Sequence, residues 1–257
     1  MNMRAPNAAA DDWDRHWSEN ATINALNPAQ IYRRDVIFRL LALRTATAPV
    51  RVLDLGCGSG ELDVHVVRAR ADAEILGLDM SATGIEMAKS KVPAGHFRQQ
   101  DFSKPLDVPG FERWATHGVC TEVLEHLDDP TAMLANVRPL LAAGCKLVIT
   151  VPAGPMSAFD RHVGHRRHFT PRLLRETIED AGFSVVDLVG AGFPFFNLYR
   201  LAVVARGEKL VADASGGDGT RLPLAARAAI RAFGVLFKLS TDRTTLGWQL
   251  VAVASPR

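Results

Sequence analysis

Apolar residues along this chain cluster in short strand-length runs, separated by stretches in which they recur every three or four positions. Runs of strand length occupy 52–55, 74–79, 114–120, 146–151, 183–188 and 246–254, with a more polar one at 95–102. Leu147-Val148-Ile149 is unbroken, as a strand covered by helices on both faces requires. Helical spacing marks 61–69, then 81–91 with Ile85 and Ala88 on one side, then 131–141 behind an Asp129-Pro130 start, with Gly144 as its terminator. Thr170 and Pro171 are the N-cap and first-turn signals of a further helix that Gly182 ends. Strand and helix alternating over 50–254 predict an α/β fold, a doubly wound sheet, and a single domain spanning 1–257.

Two segments stand outside the alternation. Residues 11–45 read as an N-terminal helical cover, with Trp17, Tyr32, Arg33 and Arg34 ahead of an amphipathic run through Ile37, Leu40 and Leu41. Residues 189–245 read as an insertion before the last strand. It holds an aromatic patch (Phe193, Phe195, Phe196, Tyr199), a flexible link at Ser215-Gly216-Gly217-Asp218-Gly219, and a basic helix. In that helix Ile230, Phe233 and Phe237 share one face while Arg227, Arg231 and Lys238 lie elsewhere. A lid over a substrate-sized pocket is its first reading; a lipid-docking surface and a dimer contact are the others.

Composition narrows the class. At 257 residues and 47% hydrophobic, the chain can bury one large core. A net charge of +2 does not announce a nucleic-acid partner, and none is expected. Cys57, Cys120 and Cys145 fall in or beside core strands and read as reduced packing residues. The first residues, acidic at Asp11, Asp12 and Asp14, show neither a basic region nor an apolar run and are expected to be disordered up to about Ala10. Together these predict a cytoplasmic protein, monomeric or homodimeric.

The candidate chemistry starts where Val52-Leu53-Asp54-Leu55 breaks into Gly56-Cys57-Gly58-Ser59-Gly60, just before the 61–69 helix. Such a corner presents backbone N–H groups and a helix N-terminus to an anionic group, with no Cβ in the way. Glu61 stands where the dinucleotide spacing G-x-G-x-x-G needs glycine, and no Lys followed by Ser or Thr makes a P-loop. Asp54 would repel a pyrophosphate but suits a cationic amine.

This pattern resembles motif I of the class I S-adenosylmethionine-dependent methyltransferases. Thr121-Glu122-Val123-Leu124-Glu125-His126-Leu127 is similar to the E-V-L-E-H stretch of the ubiquinone-type O-methyltransferases and their relatives. Asp160 to Gly164-His165-Arg166-Arg167-His168 resembles a subgroup met in natural-product and cell-surface-sugar pathways. The resemblance implies a Rossmann-like, seven-stranded, mostly parallel sheet whose last two strands form an antiparallel edge. It implies S-adenosylmethionine as donor and S-adenosylhomocysteine as product. By resemblance Asp101 lies near the adenine amino group, Phe102 stacks on the base, and Arg33 reaches the methionine carboxylate. Cys57, Met80 and Thr121 complete a pocket with Asp54, Gly56, Gly58 and Gly60. Asp79, an acid at the tip of the second strand, also suits the ribose hydroxyls on position alone.

Glu122, His126 and His165 are the candidate catalytic residues, the two histidines as bases for an acceptor hydroxyl. His162 and His168 read as loop histidines bonded to backbone. In a less favoured alternative, Glu122, Glu125, His126 and His165 hold Mg²⁺, Mn²⁺ or Zn²⁺, as resemblance to metal-dependent relatives suggests. The first functional reading is methylation of a hydroxyl on a small molecule (a phenol, a sugar or a lipid-linked glycan). N-methylation of an amine comes second. RNA 2′-O-methylation is disfavoured by the modest charge, and a module that binds cofactor without transfer is the fourth reading.

Overall fold

The strand-length runs become the strands of one seven-stranded sheet. In a computed structural model, which describes residues 12–47, 49–106, 108–216 and 231–257, these are β1 (Arg51–Leu55), β2 (Glu74–Asp79), β3 (His96–Gln99), β4 (Ala115–Thr121), β5 (Leu141–Pro152), β6 (Phe183–Ala191) and β7 (Gln249–Pro256). The helices are α1 (Trp13–Leu26), α2 (Pro28–Leu41), α3 (Glu61–Ala69), α4 (Ala82–Lys91), α5 (Pro130–Val137), α6 (Ala158–His162), α7 (Pro171–Asp180) and α8 (Phe195–Gly216), the last kinked at Gly207. Strand order is β3-β2-β1-β4-β5-β7-β6, with β7 antiparallel to both its neighbours. The fold class and antiparallel edge expected from the sequence are therefore found. Sequence direction across the sheet reverses between β1 and β4, and ligands of open α/β sheets bind in the crevice at that point.

Side chains alternate between the two faces of the sheet. Leu53, Leu55, Leu76, Leu78, Leu147 and Ile149 pack with Leu134 of α5 and with Leu174 and Ile178 of α7. Val52, Ile75, Val119, Val148 and Val251 pack on the other face with Val36, Ile37 and Leu41 of α2. Both faces are dry, so the period of two is invisible in the sequence and only continuous apolar runs show.

Local signals act as read in most helices. Ser81 caps α4 by accepting from the Gly84 N–H (3.0 Å), Asp129 caps α5 and Thr170 caps α7. Three boundaries differ. The helix read over 131–141 stops at Val137 and tightens into a 3₁₀ turn over Arg138–Leu140, because Pro139 has no N–H to donate to the Ala135 carbonyl one turn back. Gly144 instead lies within an irregular stretch of β5, at φ 75°. β6 runs on to Ala191 and β7 starts only at Gln249, because the intervening chain bridges back through Thr241 to Phe193 and through Thr244 to Gly190. The expected disorder before Asp11, and Gly217, Asp218, Gly219, Arg227 and Ile230 of the insertion, lie outside the described residues. All three cysteines are buried free thiols.

Candidate active site

The glycine corner is tied to the neighbouring strand. The N–H groups of Gly56 and Cys57 both donate to the Leu78 carbonyl, at 2.7 and 3.1 Å. Gly60 stands at φ 74°, and a Cβ there would lie 2.9 Å from Ala88 Cα, so glycine is demanded by backbone angle and by the close approach of α4. Asp79 accepts from the Gly58 N–H through Oδ2 and from the Ser81 N–H through Oδ1, both at 2.8 Å. Burial raises the Asp79 pKa against the pull of these two donors. Each of its oxygens keeps a further lone pair for a hydroxyl.

Asp54 and Asp63 form the unexpected part of this corner. Both are buried, and Asp54 Oδ1 and both oxygens of Asp63 lack a protein partner. Burial first, then the Asp63 and Asp79 charges, push Asp54 well above the carboxylate range; burial raises Asp63 to about 7. Orphaned buried carboxylates are costly unless a partner arrives. A ligand bearing an ammonium fits, and a pyrophosphate does not. Asp63 escaped the sequence reading, although it sits three residues before Val66 on the buried face of α3, where an acid is out of place.

Beside the tips of β2 and β3, Met80, Gln99, Gln100, Asp101, Lys104 and Pro105 line a recess of about 510 Å³. The Asp101 carboxylate accepts from the Ser103 hydroxyl (2.6 Å) and backbone N–H (2.9 Å) and pairs with Lys104, and these hold its pKa down, the Ser103 hydroxyl first. Phe102 is buried in the core with Leu53 and Leu78, and Cys57 is buried among the residues of the opposite face. α1 crosses the corner: Asp14 accepts from the Ser81 hydroxyl (2.6 Å) and the Thr83 N–H (2.8 Å), and Trp17 reaches the backbone of Gly58.

At the β4 tip Glu122 adopts φ 54°, a left-handed conformation rare for a residue with a side chain. Its Oε1 accepts from the Thr150 hydroxyl (3.1 Å) and from Gln249 Nε2 (2.9 Å), and its Oε2 pairs with Arg33 Nη2 at 2.9 Å. Arg33 also donates to Gln249 and Gln30. Arg33, expected by resemblance to reach a methionine carboxylate, lies buried at the strand tips and is bound to protein acceptors. Tyr32, its neighbour, points away to Asp242. Thr121 shares a hydrogen bond with Thr150 (2.7 Å). Gln249, which closes this network from β7, carried no sequence signal beyond an amide ahead of an apolar run.

Glu125, His126, His165 and His168 come together beside it. Glu125 is fully buried with both oxygens unpartnered; burial, then the Glu122 charge, raise it well above the usual range. The His126 ring lies edge-on to Trp13 and to His165, with centroids 4.7 Å away in each case, and burial lowers its pKa to about 4. Burial lowers His165 to about 3. His168 Nδ1 is 3.0 Å from the Gly154 carbonyl, which only accepts, so the proton sits on Nδ1. That bond to backbone matches the sequence reading of His168. His168 Nε2 then holds the lone pair, and His165 Nδ1, 3.3 Å away, donates to it. Neutral His165 is left with its own lone pair on Nε2. Asp160 lies 4.0 Å from His165 and 3.8 Å from His168; burial raises its pKa, but Arg200 and Ser157 outweigh this and hold it at about 2.

A doubly wound sheet with a glycine corner, strand-tip acids and a cation-seeking pocket at the switch point defines an S-adenosylmethionine-dependent class I methyltransferase. The chain belongs to the methyltransferase-domain family, whose model matches residues 29–188. It is 27% identical over 226 residues to a ubiquinone biosynthesis O-methyltransferase of Psychrobacter arcticus, covering 76% of this chain and 86% of that one. It is 28% identical over 148 residues to the O-methyltransferase cnsE of Penicillium expansum, covering 53% of each. Among solved structures, a TehB-like SAM-dependent methyltransferase from Corynebacterium glutamicum superposes with a TM-score of 0.56 at 17% identity, covering 97% of this chain and 99% of that one, a likeness of fold.

Proposed function

We propose that this methyltransferase acts on a hydroxyl of a small molecule, with His165 as the base. The observation that carries the reading is the orientation of His165 by His168 and the Gly154 carbonyl, which leaves Nε2 as an unprotonated acceptor in a buried wall. S-adenosylmethionine supplies an activated methyl group, and Asp54, Asp63, Asp79 and the glycine corner would hold it. The protein has to align the acceptor and keep water out, effects worth roughly 7–11 kcal/mol. A positioned base takes the hydroxyl proton as the oxygen attacks the methyl carbon; with its pKa held at about 3, His165 delivers less than the roughly 10²–10⁴-fold of a base matched to neutral pH. Asp160, kept anionic by Arg200, steadies the imidazolium that results. The names of the relatives support a hydroxyl acceptor.

The test is a mass-spectrometric screen of phenols, sugars and amines for the gain of one methyl group, run with the wild type and His165→Ala. Hydroxyl methylation lost in the variant, with cofactor affinity intact, supports the reading; methylation of amines alone, or a fully active variant, refutes it.

One observation favours a second reading. Glu125, His126 and His165 each offer an atom within 4.8 Å of the others, and the Glu125 oxygens accept no hydrogen bond, His126 Nε2 being 4.0 Å from Oε1, which leaves them open to a divalent cation. Glu122, expected among such ligands, faces Arg33 instead. Activity that survives exhaustive chelation removes this reading.

A further inference from the structure

Six of the ten exposed large apolar side chains among the described residues come from the segment between β6 and β7: Phe193, Leu198, Leu201, Val235, Leu239 and Leu246. Four of them, Leu198, Leu201, Val235 and Leu239, lie on helical segments. Leu198 and Leu201 continue through Ala202 and Ala205 as an exposed i, i+3, i+4, i+7 stripe on α8. The short helix at 231–236 and the turn Phe237–Leu239 direct Phe233 and Phe237 inward, where their rings meet Tyr199 and Phe196 at 5.4–5.8 Å. Val235 and Leu239 face outward beside Arg231 and Lys238, all four exposed. The inner face of this unit is satisfied, and its outer face mixes uncovered apolar groups with cations.

Charge selects the occupant. Residues 189–245 hold eight Arg and Lys against four Asp and Glu, a net +4, while the rest of the chain sums to −2. A symmetric contact between two copies would press this cationic patch against itself. Anionic lipid headgroups complement it, and long cationic side chains reach them while apolar neighbours enter the acyl boundary. No helix of the described residues is long and apolar enough to cross a membrane, so the mode is lying on the surface.

We propose that the β6–β7 segment docks on anionic bilayers through the Leu198–Leu201 stripe and the Val235–Leu239 face, held by Arg231 and Lys238. The segment adjoins the acceptor wall: Arg200 binds Asp160 at 2.8 Å, and Trp248, next to Gln249, donates its N–H to Asn197 Oδ1 at 3.0 Å. Docking therefore brings that wall to the headgroup layer. The inference does not depend on the acceptor or base proposed above.

The experiment is co-sedimentation of the full chain with phosphatidylcholine vesicles, with and without phosphatidylglycerol. Wild type is expected to bind the anionic vesicles and to lose binding as salt rises. Arg231→Glu with Lys238→Glu, and separately Leu201→Glu with Leu239→Glu, are each expected to weaken it by roughly tenfold or more. Leu173→Glu, at an exposed position on α7, should not. Melting curves check folding, and the charge pair keeps the test valid if the leucine pair unfolds. No binding by wild type, equal binding to both vesicle types, or self-association that Leu201→Glu with Leu239→Glu abolishes in the absence of vesicle binding each overturns the proposal.

Discussion

Trp17 closes over Gly58: a Cβ built on that glycine would fall 2.1 Å from Trp17 Cζ2. The indole of α1 rests on bare backbone, with Gly84 as a second wall, where an added Cβ would fall 3.1 Å from its Cδ1. The same helix holds Asp14 on the start of α4 and Trp13 on His126, so it spans the glycine corner and the histidine cluster.

Gly58→Ala should therefore weaken cofactor binding by roughly tenfold or more. The alanine at φ 50° costs on the order of 1 kcal/mol in backbone strain and must also displace the indole. Adding Trp17→Ala should return the part due to the collision. Calorimetric titration with S-adenosylhomocysteine measures both; equal affinity in wild type and Gly58→Ala would contradict the packing.

Asp63 predicts a pH effect of definite sign. Its folded pKa, raised to about 7, exceeds its unfolded value, so its contribution favours folding below about pH 4 and is lost as pH rises towards 7. Every tenfold loss of acidity on folding corresponds to about 1.4 kcal/mol. Asp63→Asn should raise the Tm of the cofactor-free protein at pH 8 and leave it nearly unchanged at pH 4. A Tm difference that is constant across that range would exclude a strained carboxylate.

The histidines predict the opposite slope. His126 and His165, at about 4 and 3, are depressed below the unfolded value, so their contribution is present above about pH 6.5 and fades as pH falls through the folded values. Their ring proton resonances in metal-free protein should hold steady between pH 5 and 8. A midpoint near 6.5 for either would place that ring in solvent.

The Arg33–Glu122 pair sits where Arg33 is 8% and Glu122 20% exposed in their side chains. Removing one partner leaves a charge stranded, so Arg33→Met should destabilise by roughly 3 kcal/mol. Arg33→Met with Glu122→Gln should recover a large part of that loss in urea unfolding. Additive losses would mean that the pair is not coupled.

What the sequence revealed was whatever depends on neighbours along the chain. The Gly56–Gly60 corner, the caps Ser81 and Thr170, and the position of Glu122 and His126 at a strand tip follow from local composition. The hidden parts depend on distant partners. Asp63 looks like an ordinary helix acid until α3 buries it, and Gln249 gains meaning only when β7 enters beside β5. Arg200 and Trp17 reach the site across forty residues or more. The early end of α5 was visible in Pro139 but was outweighed by the apolar spacing that continues past it.

Because β7 slots between β5 and β6, Gln249 reaches Glu122 and Arg33 only after residues 249–256 have been made. The last strand of the chain is thus the one that ties the far edge of the sheet back to the β4 tip and to α2, so this network closes only when the sheet is whole.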